Sequence, residues 1–332
     1  MRESLRLESP GGRAKQERSG RGSIHSPLDT IRLAMPRIGL HVRSKGSFQK
    51  TAERAAELGA ETFQIFSSSP RMWKAKPTDP ADAAACRQIC AERGLRPLVI
   101  HANYLINPAA TDEEIRRRSI AALRGELERA VLLGAAWVVV HPGSGTVASR
   151  EQALDHAAAS LREVVSSSPG PVGLLLENTA GQGACLGHRF EELAELYRRV
   201  APRAAIETGY CLDTAHCLAA GYDISTEAGA RDTLTLADSI LGLERVRAIH
   251  ANDSKTPAGS RVDRHEQIGK GFVGDAAFQV WLSHPAFSGH PFLLEVPFEA
   301  EGDEVRNMER LRRLAAPPPP KAAQSLKKIR RR

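Results

Sequence analysis

Eight short runs that are mainly apolar, and not alternating apolar and polar, recur along the chain, separated by segments with a helical pattern. The runs cover residues 37–42, 62–66, 97–102, 137–142, 172–178, 210–216, 246–253 and 292–296. Continuous apolar runs of this length are typical of strands buried on both faces of a parallel sheet. Eight such strands with intervening helices predict an α/β protein built as a single (β/α)8 TIM barrel. The alternative is a doubly wound open sheet, but no GxGxxG follows the first strand, which disfavours its dinucleotide-binding form.

Two helical segments carry recognisable end signals. Residues 47–59 place Ser47 at the N-cap and stop at Gly59. Residues 111–134 begin with a Thr-x-x-Glu capping box and stop at Gly134.

The net charge of +7 is confined to the two ends of the chain. Residues 1–34 hold seven basic and four acidic side chains, and residues 317–332 hold six basic and no acidic ones, so the rest carries −2. The composition predicts disordered basic extensions at 1–34 and 317–332 around one barrel domain at 35–316. Such tails could attract phosphates in a salt-sensitive way, but the charge of the body is no argument for a nucleic-acid partner.

Compartment signals are few. No run reaches the roughly 18 to 20 apolar residues of a membrane span, and the first residues lack the apolar run of a signal peptide. The five cysteines form no CxxC pair, which is typical of reduced thiols in a cytosol. We therefore expect a cytoplasmic protein without a membrane partner.

One potential metal ligand lies near the carboxyl end of each of six consecutive strands. The residues are His101, His141, Glu177, Asp213, His250 and Glu295, at spacings of 40, 36, 36, 37 and 45. Because the carboxyl ends of barrel strands form the reactive face of the fold, these side chains are predicted to share one ring. Imidazole and carboxylate without thiolate suit zinc, manganese or iron.

Three further ligand-type residues complete the set. His216 follows Asp213 by three residues, in the turn after the strand. Asp263 and His265 are alternate residues of the loop 259–271, so both can face one ion. Two ligands are too few for a stable site, and His216 is the natural third.

With these nine residues in order, the chain resembles the endonuclease IV family of zinc-dependent apurinic/apyrimidinic (AP) endonucleases. The resemblance covers about residues 37–315 and is carried by the blocks IGLHV, HANYLIN, HPGS, ENTAGQG, LDTAHCLAAGYD, HANDSK, GSRVDRHEQIGKGFVG and LLEVP. It implies a TIM barrel with three zinc ions (Zn2+). The first zinc would be held by His101, His141 and a bridging Glu177. The second would be held by Glu177, Asp213, His250 and Glu295. The third would be held by His216, Asp263 and His265.

The resemblance also implies DNA contacts from loops at the top of the barrel. Arg71, Tyr104 and Leu105 occupy positions at which the family probes the duplex and props open the lesion. The chain departs from the family nearby, because Met72 stands where glutamine is frequent and SSSP replaces an amide-rich lead-in.

The implied activity is hydrolysis of the phosphodiester 5′ of an abasic site, leaving a 3′-hydroxyl and a 5′-deoxyribose phosphate. A 3′-phosphodiesterase activity would use the same centre, with Glu177 as a catalytic residue beside the nucleophile. The set contains no lysine, which disfavours a Schiff-base lyase mechanism. The implied partner is double-stranded DNA with abasic sites or 3′-blocked ends, and the implied state is a monomer.

Two alternatives remain open from the residues. A divalent-metal sugar isomerase or epimerase on the same barrel type would need only Glu177, Asp213, His250 and Glu295, and would hold one or two ions rather than three. A non-catalytic DNA-binding protein would depend on its basic tails, and its histidines would be dispensable.

Overall fold

The computed structural model describes residues 35–43, 46–146, 149–167 and 170–316. The predicted extensions at 1–34 and 317–332 lie outside the described residues. Among the described residues, ten strands are β1 (Arg37–His41), β2 (Thr62–Phe66), β3 (Leu98–His101), β4 (Trp137–Val140), β5 (Gly173–Glu177), β6 (Thr208–Asp213), β7 (Val246–His250), β8 (Asp253–Ser254), β9 (His265–Glu266) and β10 (Pro291–Leu294).

Eight of these strands close into a parallel barrel. Strands β1 to β7 follow one another around it, β10 pairs with β7, and β1 pairs with both β2 and β10. The barrel predicted from the eight apolar runs is therefore confirmed, and the open sheet is excluded because no edge remains. Strands β8 and β9 form a separate antiparallel pair.

Helices alternate with the barrel strands along the chain. They are α1 (Phe48–Glu57), α2 (Pro80–Arg93), α3 (Glu113–Leu133), α4 (Arg150–Val165), α5 (Phe190–Val200), α6 (Thr214–Ala220), α7 (Glu227–Leu241), α8 (Gly274–Ser283) and α9 (Asp303–Ala315). None of the helices in the described ranges is long and apolar enough to cross a bilayer.

The end signals of the two helical segments are largely confirmed. Ser47 caps α1 by accepting a hydrogen bond from the Lys50 amide, and Gly134 ends α3 in the left-handed conformation with φ of 69°. The capping box predicts Thr111 as the N-cap of α3, which is wrong by one residue, because the side chain of Asp112 accepts from the amide of Ile115. Asp112, next to Thr111, can accept hydrogen bonds from the same unpaired amides of the first helical turn, and here it is Asp112 that does so.

Two predicted strands end three residues early in the structure: the run 246–253 gives β7 (Val246–His250), and the run 210–216 ends at Asp213. The apolar pattern predicts a strand over residues 210–216, but β6 ends at Asp213 and α6 begins at Thr214. Asp213 is the N-cap of α6, since its Oδ1 accepts a 2.8 Å hydrogen bond from the amide of His216. The capping carboxylate turns the chain immediately after the strand.

The inside of the barrel is filled by a small apolar layer that is distinct from the larger core between strands and helices. Its members are fully buried and come from six neighbouring strands: Val99, Val139, Leu175, Cys211, Ala248 and Leu293. The candidate functional side chains lie directly above this layer, at the carboxyl ends of the strands.

Candidate metal centre

Each of the six strand-end ligands follows a member of the inner apolar layer by two residues. Because side chains alternate across a strand, a residue two positions after an inward-facing side chain also faces inward. The carboxyl ends of the strands therefore present six polar side chains just above the apolar layer. The structure thus brings all six side chains to the same end of the barrel.

The first group of donors contains His101, His141 and Glu177. Their donor atoms meet closely, since Oε2 of Glu177 lies 3.1 Å from Nε2 of His101 and 3.0 Å from Nε2 of His141. His101 is oriented by its other ring nitrogen, which lies 2.8 Å from the carbonyl oxygen of Ala102. Such a contact at the far nitrogen is what fixes a ligating imidazole in place.

The second group contains Glu177, Asp213, His250 and Glu295, whose donor atoms all lie within 4.8 Å of one another. Nδ1 of His250 is 2.8 Å from Oε1 of Glu177 and 3.3 Å from Oε2 of Glu295. Glu177 belongs to both groups through its two oxygens. The two groups therefore meet at this one carboxylate.

The third group forms around His216 and His265. Asp263 lies against both rings, with Oδ2 3.3 Å from Nε2 of His216 and Oδ1 3.3 Å from Nε2 of His265. The donor atoms that lie mutually within 4.8 Å belong to His216, His265 and Asp213, and not to Asp263. Each Asp263 oxygen faces a different ring, whereas Oδ2 of Asp213 lies 3.6 Å from Nε2 of His265. Asp263 is also the more exposed residue, with 43% of its side chain accessible.

The carboxylates and imidazoles of this cluster stabilise one another's charged forms. Burial alone would raise the pKa of Glu177, but His250, His141 and His101 hold it well below its usual range. Burial would lower the pKa of His216, yet Asp213 and Asp263 hold it well above its usual value. The lowered pKa favours the ionised form of Glu177, whose oxygens can only accept, so they suit a bound cation.

The side-chain amides of two buried asparagines position candidate ligands, and the sequence pattern does not predict this role. Asn252 donates to Oδ2 of Asp213 at 2.6 Å and accepts from the amide of Glu295 at 2.7 Å. Asn178 accepts from the amide of Asp213 at 2.7 Å. Each of these side chains thus ties a ligand to the neighbouring strand.

Asp253 organises the loop that carries Asp263 and His265. Its two oxygens accept hydrogen bonds from the amides of Gly269, Gly271 and Val273 at 2.8 to 3.1 Å. A Cβ on Gly271 would lie 2.5 Å from Oδ1 of Asp253, so glycine is needed for this approach. The close packing of Gly271 is therefore structural.

The ring has two further members that were not predicted from the sequence pattern, His41 and Gln64. His41 ends β1 and Gln64 lies in β2; the two are paired in register and lie beside Glu295. A signal was available for His41, a histidine at the end of the first apolar run. Gln64 lies in the middle of its run, and nothing in the pattern marks it as part of the ring.

A cavity of about 1120 Å³ opens above the ring. Tyr104 lines it with 66% of its surface exposed, and its ring packs edge-on against Phe66 at 5.1 Å. Arg71 is exposed on the loop after β2, and Leu105 is half-buried beside Tyr104. Met72 is exposed and lines the same cavity. The three residues expected to contact DNA thus lie on two loops at the carboxyl end of the barrel, with Tyr104 in the cavity wall.

The donors suit zinc ions. Atoms that share a tetrahedral zinc at about 2.0 to 2.1 Å lie about 3.3 Å apart, and the closest contacts within the first and third groups are 3.0 to 3.3 Å. Nε2 of His216 and Nε2 of His265 are buried and make no hydrogen bond within the described chain. Buried polar atoms without a partner are rare, and a cation would satisfy both.

A closed parallel barrel with three clusters of histidine and carboxylate at its carboxyl end defines a TIM-barrel enzyme of the metal-binding type. A family model described as "Xylose isomerase-like TIM barrel" matches residues 52–332. A probable endonuclease 4 from Solibacter usitatus is 48% identical, covering 84% of this chain and 97% of that protein. One from Chloroflexus aurantiacus is 40% identical over 84% of this chain and 98% of that protein.

Among solved structures, endonuclease IV from Thermus thermophilus has a TM-score of 0.72 and 38% identity, covering 84% of this chain and 98% of that one. The chain belongs to the endonuclease IV family and is a nuclease. A D-tagatose 3-epimerase-like protein, 21% identical with a TM-score of 0.62 and covering 83% of this chain and 96% of that one, shares the fold.

Proposed function

We propose that this nuclease hydrolyses the DNA phosphodiester on the 5′ side of an abasic nucleotide by means of a three-zinc centre. The products would be a 3′-hydroxyl and a 5′-deoxyribose phosphate, and the same centre would remove 3′-blocking groups. The observation that carries the proposal is the meeting of three donor groups at the floor of one open cavity. Family membership supports the DNA substrate.

The zinc ligands would be the nine residues of the three groups, with Asp263 joining His216 and His265 in the third. When bound, zinc lowers the pKa of water toward about 7 and withdraws charge from a phosphoryl group. Glu177 would hold the first two positions at a fixed separation, because its two oxygens already face His141 on one side and His250 on the other. Its complete burial keeps that carboxylate from rotating into solvent.

The rim of the cavity would hold the DNA backbone. Lys74, Lys76, Arg43 and Arg264 line it, and none of these four side chains forms an ion pair with another described residue. Cationic groups without an acidic partner are free to bind phosphates. The local charge of this face therefore supports a DNA partner, even though the body of the chain carries no net positive charge.

The enzyme would select the lesion because an abasic nucleotide is easily extruded from the duplex. An abasic nucleotide has lost its pairing and most of its stacking, so it leaves the duplex at low cost. Tyr104, exposed at the cavity wall, would occupy the space vacated in the duplex, with Leu105 beside it and Arg71 on the facing loop. We also propose that the chain works as a monomer, as the family precedent implies, and that it works in the cytoplasm, as its cysteine usage indicates.

The test is incubation of the full chain with a duplex that carries one abasic analogue and labels on both ends. We expect a single nick 5′ of the lesion with a 3′-hydroxyl, lost after chelation and restored by added zinc. His265→Ala should lose the activity, whereas His156→Ala, on α4 away from the donor groups, should keep it. A duplex with a 3′-blocked nick tests the second activity.

Two outcomes would contradict the proposal. An intact duplex after incubation with zinc-loaded protein, together with turnover of a ketose, would favour the sugar isomerase. A covalent protein–DNA product trapped by borohydride would indicate a lyase that uses an amine, which the donor groups lack.

A further inference from the structure

Gln64 is a fully buried glutamine in the middle of β2 that touches two ligands of the second donor group. Its Nε2 lies 2.5 Å from Oε1 of Glu295, and its Oε1 lies 2.9 Å from Nε2 of His250. Nε2 is also 3.1 Å from Nδ1 of His41. A neutral amide is not a zinc ligand of the usual kind, so its presence in the ring calls for another role.

The partners determine how the amide is oriented. A carboxylate only accepts hydrogen bonds, so the Gln64 atom that faces Glu295 is its NH2 group. The carbonyl oxygen then faces His250, and a carbonyl can only accept. Nε2 of His250 therefore carries the hydrogen, and the second amide hydrogen is donated to Nδ1 of His41.

The hydrogen on Nε2 of His250 determines the role of the other ring nitrogen, Nδ1. Because Gln64 keeps a hydrogen on Nε2, Nδ1 is the nitrogen that would give up its hydrogen to a metal. That atom lies 2.8 Å from Oε1 of Glu177 and 3.9 Å from Oδ2 of Asp213, at the centre of the second donor group. In Glu295, Oε1 is engaged by Gln64, and it is Oε2 that faces Nδ1 of His250 at 3.3 Å.

We infer that Gln64 is a positioning residue for the second metal: its single amide selects the ligating nitrogen of His250 and the ligating oxygen of Glu295. The inference rests on the proposed metal centre and assigns a role to a residue that is not itself a ligand. Outer partners of this kind are worth about 10- to 100-fold in metal affinity. Gln64 differs from a partner of one ligand because it constrains two ligands from two strands, β7 and the end of β10.

The first variant is Gln64→Leu, which removes both contacts at similar volume. The second is Gln64→Glu, which keeps an acceptor for His250 but sets a carboxylate against that of Glu295. Zinc binding to the full chain is titrated in competition with a chromophoric chelator, and cobalt is used in parallel as a spectroscopic probe. The matched control is Ser160→Ala, which removes a buried hydrogen bond to the carbonyl of Pro108 on the outside of the barrel.

We expect one of the three zinc ions to bind about 10- to 100-fold more weakly in both Gln64 variants, with the other two unchanged. The cobalt absorption of that one site should shift, and Ser160→Ala should resemble the wild type. Equal zinc affinities in wild type and variants would overturn the inference, as would an equal weakening of all three sites. A wild-type chain that binds no zinc would instead overturn the proposed centre itself, so the two failures are distinguishable.

Discussion

Nε2 of His216 lies 3.3 Å from Oδ2 of Asp263, yet this buried nitrogen makes no hydrogen bond within the described chain. The two residues come from α6 and from the loop before β9, so only the closed fold brings them together. A nitrogen and a carboxylate oxygen at this separation, both directed at the same space, leave room for a shared cation.

Asp263→Asn should reduce bound zinc from three ions to two per chain, because an amide nitrogen would replace one oxygen that faces the histidines. Nicking of an abasic duplex should fall about 100-fold or more, since a metal acting as a Lewis acid contributes several kcal/mol. The readouts are metal analysis of the purified chain and initial rates. Asp275→Asn is the matched control, because Asp275 is exposed to a similar degree, 42% against 43%, and pairs with Arg310. Three bound ions in Asp263→Asn would remove this residue from the third site.

Tyr104→Ala should weaken binding of an abasic duplex about 10-fold or more, because an aromatic ring that stacks on a base contributes about 1 to 3 kcal/mol. The zinc content should not change, since the Tyr104 ring packs on Phe66 rather than on a ligand. Fluorescence anisotropy with abasic and intact duplexes measures the effect. Tyr104→Phe keeps the ring and should bind as the wild type does. Equal affinities for Tyr104→Ala and Tyr104→Phe would argue against a stacking role.

Glu126 on α3 anchors the loop that carries Arg71. Its carboxylate accepts from the hydroxyls of Ser67 and Ser68 and lies 3.1 Å from Arg129, and it is only 1% exposed. The SSSP lead-in, which departs from the family, thus turns two hydroxyls inward to this carboxylate.

Glu126→Gln should lower the free energy of unfolding by about 3 to 5 kcal/mol, because it leaves the Arg129 charge without its buried partner. Urea denaturation measures the stability, and hydrogen exchange should show faster exchange in residues 67–79. Glu114→Gln on the same helix is the control. Its exposed pairs with Arg117 and Arg118 should contribute nothing measurable. Similar stabilities for the two variants would contradict the anchoring role.

Glu192 should make the stability of the protein depend on pH in the acid range. Burial would raise its pKa, but Arg150 at 2.6 Å and the amide of Gly187 hold the pKa below the usual value of 4.5. A carboxyl whose pKa is lower in the folded state stabilises the fold above its unfolded-state pKa. That stabilisation is lost as the pH falls through the folded-state pKa.

Glu192→Gln should therefore be less stable than the wild type at pH 7, by about 1 to 3 kcal/mol for a charged hydrogen bond. The difference should shrink as the pH falls below about 4. Melting temperatures recorded from about pH 3 to 7 measure it. A constant difference across this range would show that the contact stabilises the fold by packing rather than by charge.

The phase of each strand could be predicted from the sequence, because an apolar run and its terminal residue are local features. The six strand-end ligands each lie at the end of such a run, and side-chain alternation is enough to turn all six inward. His216, Asp263 and His265 followed from short spacings in the same way. The closed barrel itself followed from the number of buried runs.

The stagger between strands could not be predicted from the sequence. It decides that His41 and Gln64 meet Glu295 and His250, four residues from four separate strand segments whose contact depends on the closure of β1 against β10. It also decides that Glu177 faces two donor groups at once. Sequence determined which way each ligand points, since that is set by the local period of the backbone. The tertiary structure alone decided which of these side chains lie close enough to hold a common cation, because that depends on distances across the barrel.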